Sequence, residues 1–115
     1  MRHVAAVAAV VLAVWSGAVL SAEDQVARGK QLYDEQKCRM CHSLGGAGNS
    51  KGAVLDGVGA RLGPDDLRKW LANPKEMAQK AGSTRKPPMK SFGTLPPADI
   101  DALVAYLSSL KAPGR

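Results

Sequence analysis

Cys38-Arg39-Met40-Cys41-His42 holds the only two cysteines of the chain, and no other stretch limits the fold so tightly. Two thiols one helical turn apart can add across the two vinyl groups of one haem. A histidine beside the second thiol then reaches the iron from one face. Residues three apart on a helix share a face, so both sulfurs meet the same porphyrin edge. Other uses of the motif fit less well. A structural zinc site needs four Cys or His ligands, and beyond this pentapeptide only His3 remains, near the N-terminus. A thioredoxin-like dithiol needs a βαβ setting, and no strand pattern precedes Cys38. A Cys38–Cys41 disulfide would close too small a loop to constrain much. The motif predicts one covalently attached haem c, held by Cys38, Cys41 and His42.

The N-terminal residues 1–22 have the pattern of an export signal. Met1-Arg2-His3 is a short basic start, Val4 to Val14 is an apolar run, and small residues follow at Ser16, Gly17, Ala18, Ser21 and Ala22. The expected cut is after Ala22, with a cut after Ala18 as the alternative. An uncleaved anchor is the competing reading, but Val4 to Leu20 is at the short limit for a span and Trp15-Ser16-Gly17 interrupts it. The domain is then 23–115. It is small, and only Tyr33, Trp70, Phe92 and Tyr106 supply aromatic bulk. A covalently held haem would give so small a core both a staple and an apolar surface. Export suits the cysteine reading, because c-type haem is attached outside the cytoplasm; the expected location is the periplasm, with no membrane span in the mature form. The net charge of +6 comes with no long Lys/Arg run and little aromatic interleaving, which argues against nucleic-acid binding. A basic face suits docking onto an acidic protein partner instead.

Helical periodicity marks three main segments. Residues 24–37 place Val26, Gly29, Leu32, Tyr33 and Gln36 on one side, with Asp24 as the expected cap. Gly29 costs helix stability and so predicts close approach by another helix. Pro64-Asp65-Asp66 opens a second helix, with Leu67, Trp70 and Leu71 as its stripe and Asn73-Pro74 as its end. A short helix is expected over Lys75–Lys80. The last runs from about Pro97 to Lys111 on Ile100, Leu103, Val104, Leu107 and Leu110. Residues 43–63 are glycine-rich and read as one long loop over a haem face and edge, and 81–96 are irregular. No strand pair is expected; the fold class is all-α.

His42 fills one axial position, and the second must come from a methionine, since no other histidine follows the leader. Met40 lies inside the attachment motif and cannot reach the opposite face. Met77 falls in a predicted helix, where methionine is more often core filler. Met89 follows Pro87-Pro88, a stiff backbone suited to presenting one side chain at a fixed depth. A thioether suits haem iron and raises its reduction potential. Met89 is the expected ligand, with Met77 as the alternative.

At these residues the chain resembles the class I c-type cytochromes, over essentially everything after the leader. The likeness rests on Cys38–His42, on Gly29 with Tyr33, on Leu67-Arg68-Lys69-Trp70-Leu71-Ala72-Asn73-Pro74, on Pro88-Met89 before Phe92, and on Leu103-Val104-Ala105-Tyr106. The resemblance implies three to four helices around one haem, with the N- and C-terminal helices crossing at a glycine and an aromatic residue. It also implies an electron carrier that does no bond chemistry. Gly52-Ala53-Val54-Leu55-Asp56-Gly57 resembles the loop whose backbone carbonyl accepts the Nδ1 proton of the haem histidine; a proline usually follows the glycine there, and this chain has Ala53. For Trp70 two readings stand: its indole N–H donates to a haem propionate, as the similar tryptophan does in relatives, or it packs in the core. Arg61 either neutralises a propionate or is solvated.

The expected function is a monomeric periplasmic shuttle, with His42 and Met89 on the iron and Lys37, Arg39, Lys86 and Lys90 as rim charges toward redox partners. An electron-transfer subunit of a larger respiratory or sulfur-oxidising complex is the alternative. Peroxide or gas chemistry at an opened iron lacks a distal histidine in this chain, so no enzyme activity is expected.

Overall fold

A computed structural model describes residues 8–13 and 20–113. Most of the expected leader lies outside the described residues; residues 8–13 are exposed and irregular. Among the described residues, no helix is long and apolar enough to cross a membrane.

The chain forms α1 (Ala22–Glu35), a 3₁₀ turn (Cys38–Met40), β1 (Ser43–Leu44), β2 (Ala47–Gly48), α2 (Val58–Arg61), α3 (Pro64–Ala72), α4 (Pro74–Lys80) and α5 (Pro97–Ser109). In the full chain α1 starts two residues before the expected boundary, because Ser21, which lies inside the expected leader, caps it in place of Asp24. The Asp24 amide donates to Ser21 Oγ at 3.1 Å, leaving Asp24 inside the first turn, where its charge suits the helix dipole. α3 and α4 each begin with proline at the first position, where the missing N–H costs nothing. α5 stops at Ser109, two residues short of Lys111.

Two expectations for 43–63 are corrected. β1 and β2 pair antiparallel as a minimal hairpin, Ser43 with Gly48 and Leu44 with Ala47. Gly45 and Gly46 turn it at φ 60° and 80°, the positive values a two-residue hairpin turn demands. Val58–Arg61 adds one helical turn, so the long loop is really two shorter ones.

The core sits where α1 crosses α5. Gly29 is buried there, and a Cβ on it would overlap the Ala102 carbonyl oxygen and come within 2.5 Å of Tyr106 Cβ. The missing side chain is what lets the backbones approach. One turn on, Tyr33 and Tyr106 meet edge to face with centroids 5.7 Å apart. Leu32 and Leu103, both 2 % exposed, fill the space beside them. Burial of such a leucine stabilises by about 1.5–3 kcal/mol. Arg28 on α1 reaches Asp99 on α5 at 3.5 Å, and Arg68 on α3 reaches Asp101 at 2.7 Å. The first pair is half-buried and the second exposed, and pairs this open to solvent set alignment more than stability. α2 is tied to the end of α5: the Gly59 amide donates to Leu110 O at 2.9 Å, and Lys111 Nζ donates to Gly59 O at 2.8 Å.

Candidate haem-attachment site

α1 delivers the chain to the motif, but the helix does not run through it. Lys37 turns out of α1 in the left-handed region at φ 58°, and Cys38–Met40 then form a 3₁₀ turn. In that geometry residues three apart eclipse one another, so Cys38 and Cys41 share a side more directly than on an α-helix. Both thiols are free and half-buried. Burial pushes the Cys38 thiol up to about 11. A redox dithiol needs the opposite shift, toward thiolate at neutral pH.

His42 follows, and its ring is seated by the next loop. Its Nδ1 lies 2.7 Å from the Ala53 carbonyl oxygen. In the tautomer with the proton on Nδ1, this bond orients the ring and leaves Nε2 unprotonated for a metal. Gly52 makes room: a Cβ there would stand 2.8 Å from His42 Cε1 and 2.9 Å from Nδ1. The loop is tied down locally. The Gly52 amide donates to Cys41 O at 2.6 Å and the Leu55 amide to Ser43 O at 2.9 Å. Both Asp56 carboxylate oxygens accept from the Gly45 amide at 3.1 Å. Arg61 donates from Nη1 to Asp56 O at 2.6 Å and from Nη2 to Val54 O at 2.9 Å. Arg61 is therefore engaged with the histidine loop rather than merely solvated.

The methionine segment is anchored on α3. Past Met89, Ser91 Oγ donates to Ala72 O at 2.7 Å and the Phe92 amide to Leu71 O at 2.8 Å, using carbonyls the helix end leaves free. Lys90 Nζ lies 5.1 Å from the Phe92 ring centroid. Met89 itself is half-buried and packs on the core together with Cys38, Leu44, Leu55, Leu62, Leu95 and Ile100. It also lines an open cleft with Ala72, Pro74 and Ser91. Met77, on α4, is half-buried, and Met40 is 64 % exposed. Trp70 is half-buried on the side of α3 that carries buried Leu67 and Leu71.

These residues fit a haem. The donor set is two free thiols and an imidazole with Nδ1 already engaged, and Cys38 and Met89 each pack against the hydrophobic core. Tyr33 Oη is buried with no hydrogen-bond partner among the described residues, and burial pushes the phenol up to about 12. Asp56, Arg61 as a loop brace, Ser91 and Arg85 were not legible as site residues. Their bonds depend on where the loops come to rest and leave no periodic pattern in the sequence.

The crossed terminal helices and the seated CxxCH histidine define a c-type cytochrome domain. The cytochrome c family model matches residues 26–111, and the chain belongs to that family. Its members hold haem c covalently and carry electrons. The chain is 35 % identical over 98 residues to cytochrome c2 iso-1 of Magnetospirillum molischianum, covering 65 % of this chain and 91 % of that protein. It is 29 % identical over 92 residues to cytochrome c oxidase subunit 2 of Alkalihalophilus pseudofirmus, covering 73 % of this chain. The chain spans only 25 % of that subunit's length. No solved structure matches it significantly.

Proposed function

We propose that this chain is a one-electron carrier of the periplasm, released from a leader and working as a monomer, with His42 and Met89 as the two axial ligands. Bound haem supplies the ferric–ferrous couple. The observation that carries the reading is the His42 ring held at 2.7 Å by Ala53 O over a glycine that leaves it room. That arrangement fixes Nε2 in one direction and strengthens it as a donor. Met89 supports the second ligand position: it is half-buried, packs against the hydrophobic core, and is followed by two anchored residues. With His42 and Met89 both holding the iron, a bound haem would change oxidation state without exchanging a ligand. Trp70 and Arg61 are assigned to the propionate side, Arg61 with the donors its loop contacts leave over.

Exposed Lys37, Lys86 and Lys90 form the docking charge toward an acidic redox partner. Arg39, also exposed, lies 3.4 Å from Asp34 and contributes less. Such charges act mainly on association rate and lose effect with salt.

The test is attachment. Denaturation of the exported protein in acid, followed by organic extraction, leaves the colour with the protein, and the mature mass includes one haem. Cys41→Ala loses stable holoprotein, because one thioether and the staple go together. Colour passing into the solvent would overturn the assignment.

The likeness to part of an oxidase subunit favours one second reading, an electron-transfer module working inside a larger complex. Gel filtration of undenatured periplasmic extract separates the two: a free shuttle elutes at its own small mass, a subunit with its partners.

A further inference from the structure

One hydrogen bond joins the histidine loop to the methionine segment. Arg85 Nη1 donates to the Gly52 carbonyl oxygen at 3.2 Å, across 33 residues of chain. Gly52 immediately precedes Ala53, whose carbonyl faces His42 Nδ1, and Arg85 stands four residues before Met89. The other bonds holding 52–57 come from nearby in the chain, at Cys41, Ser43, Gly45 and Arg61. Among the described residues, Arg85 alone reaches this loop by a hydrogen bond from beyond α3 and α4 in the chain. Ala53 and Val54 are exposed, and neither has a ring to stiffen its backbone. The position of the Ala53 carbonyl therefore depends on the ties at its neighbours.

We propose that Arg85 is a positioning residue for His42, a strap that holds the Gly52–Ala53 backbone against the imidazole from the Met89 side. Its meaning for the iron rests on the His42 and Met89 reading, but the strap itself needs only the two loops. The guanidinium is suited to the task, being always charged and able to give a charge-assisted bond to a neutral carbonyl. Losing it lets the loop swing out more often, exposing the Nδ1 proton and weakening the hydrogen bond that makes His42 a strong donor.

The test uses the haem-loaded protein. In Arg85→Ala the Nδ1 proton of His42, followed by proton NMR, exchanges with solvent roughly three- to tenfold faster than in the wild type, the effect of one such bond. Its resonance position moves as well, a change that a loss of global stability would not cause. The Leu103 amide in the core of α5 keeps its exchange rate. Lys86→Ala removes the same charge one residue on and leaves the His42 proton as in the wild type. Unchanged exchange in Arg85→Ala, or equal acceleration in Lys86→Ala, overturns the strap. The far-red band of the ferric wild type reports the Met89 reading separately: its absence would remove the ligand assignment while the exchange result stands.

Discussion

Met89→Ala is expected to abolish the weak far-red sulfur-to-iron band of the ferric protein and to lower the reduction potential. A thioether favours ferrous iron, and water or a lysine taking its place does not. Lys86 and Lys90 flank the position, so both replacements are available. The reduced variant binds carbon monoxide rapidly, where the parent does not. The chain carries its own control in Met77, which is half-buried on α4 and, unlike Met89, is not among the residues packed against the core. Met77→Ala keeps the band and costs about 1–2 kcal/mol, below the range for a fully buried methionine. Absorption spectra and redox titration of the two variants check the assignment. Loss of the band in Met77→Ala and its survival in Met89→Ala would reverse the ligand choice.

Gly29→Ala is expected to produce the largest loss of stability among single-methyl additions to α1. In an exposed helix the same change stabilises by about 1 kcal/mol, through propensity. Here the sign reverses. The added carbon would overlap the Ala102 carbonyl oxygen, a backbone atom inside α5 that cannot rotate away, and would crowd Tyr106 Cβ at 2.5 Å. The helices must separate, loosening the edge-to-face contact of Tyr33 with Tyr106. A net loss of about 2–3 kcal/mol follows from overpacking of this kind. That lowers the melting temperature by roughly 10–20 °C for a domain of this size. Gly63→Ala is the control. A Cβ there meets nothing within 4 Å, and Gly63 is the cap of α3. It costs no more than about 1 kcal/mol, as for a glycine cap. Thermal unfolding of the two holoproteins checks the difference; equal melting temperatures would mean that α1 and α5 do not cross tightly at Gly29.

Much of the fold was legible because helices write their packing into local spacing. The stripe Ile100, Leu103, Val104 and Leu107 located α5, and Pro64-Asp65-Asp66 located the start of α3. Gly29 announced the crossing because a glycine inside a good helix pattern is costly without a neighbour. The hairpin at Ser43–Gly48 was hidden because its strands are only two residues long, too short for a period of two to register. The cap of α1 went to Asp24 instead of Ser21 because two capping residues stand three apart, and only the backbone path shows which one lies outside the helix.

The sequence by itself determined the chemistry. Two thiols and an imidazole in five residues are a covalent property of the chain, and the short list of methionines follows from counting. The tertiary structure decided how the imidazole is held. The 2.7 Å bond from His42 to Ala53, the space at Gly52, and the ties from Arg61 and Arg85 join residues between 5 and 33 positions apart. Hydrogen bonds of that kind depend on where loops come to rest after the helices have packed, and loop paths carry no periodic signal. Side-chain identity sets which donors and acceptors exist, while packing alone selects which of them meet.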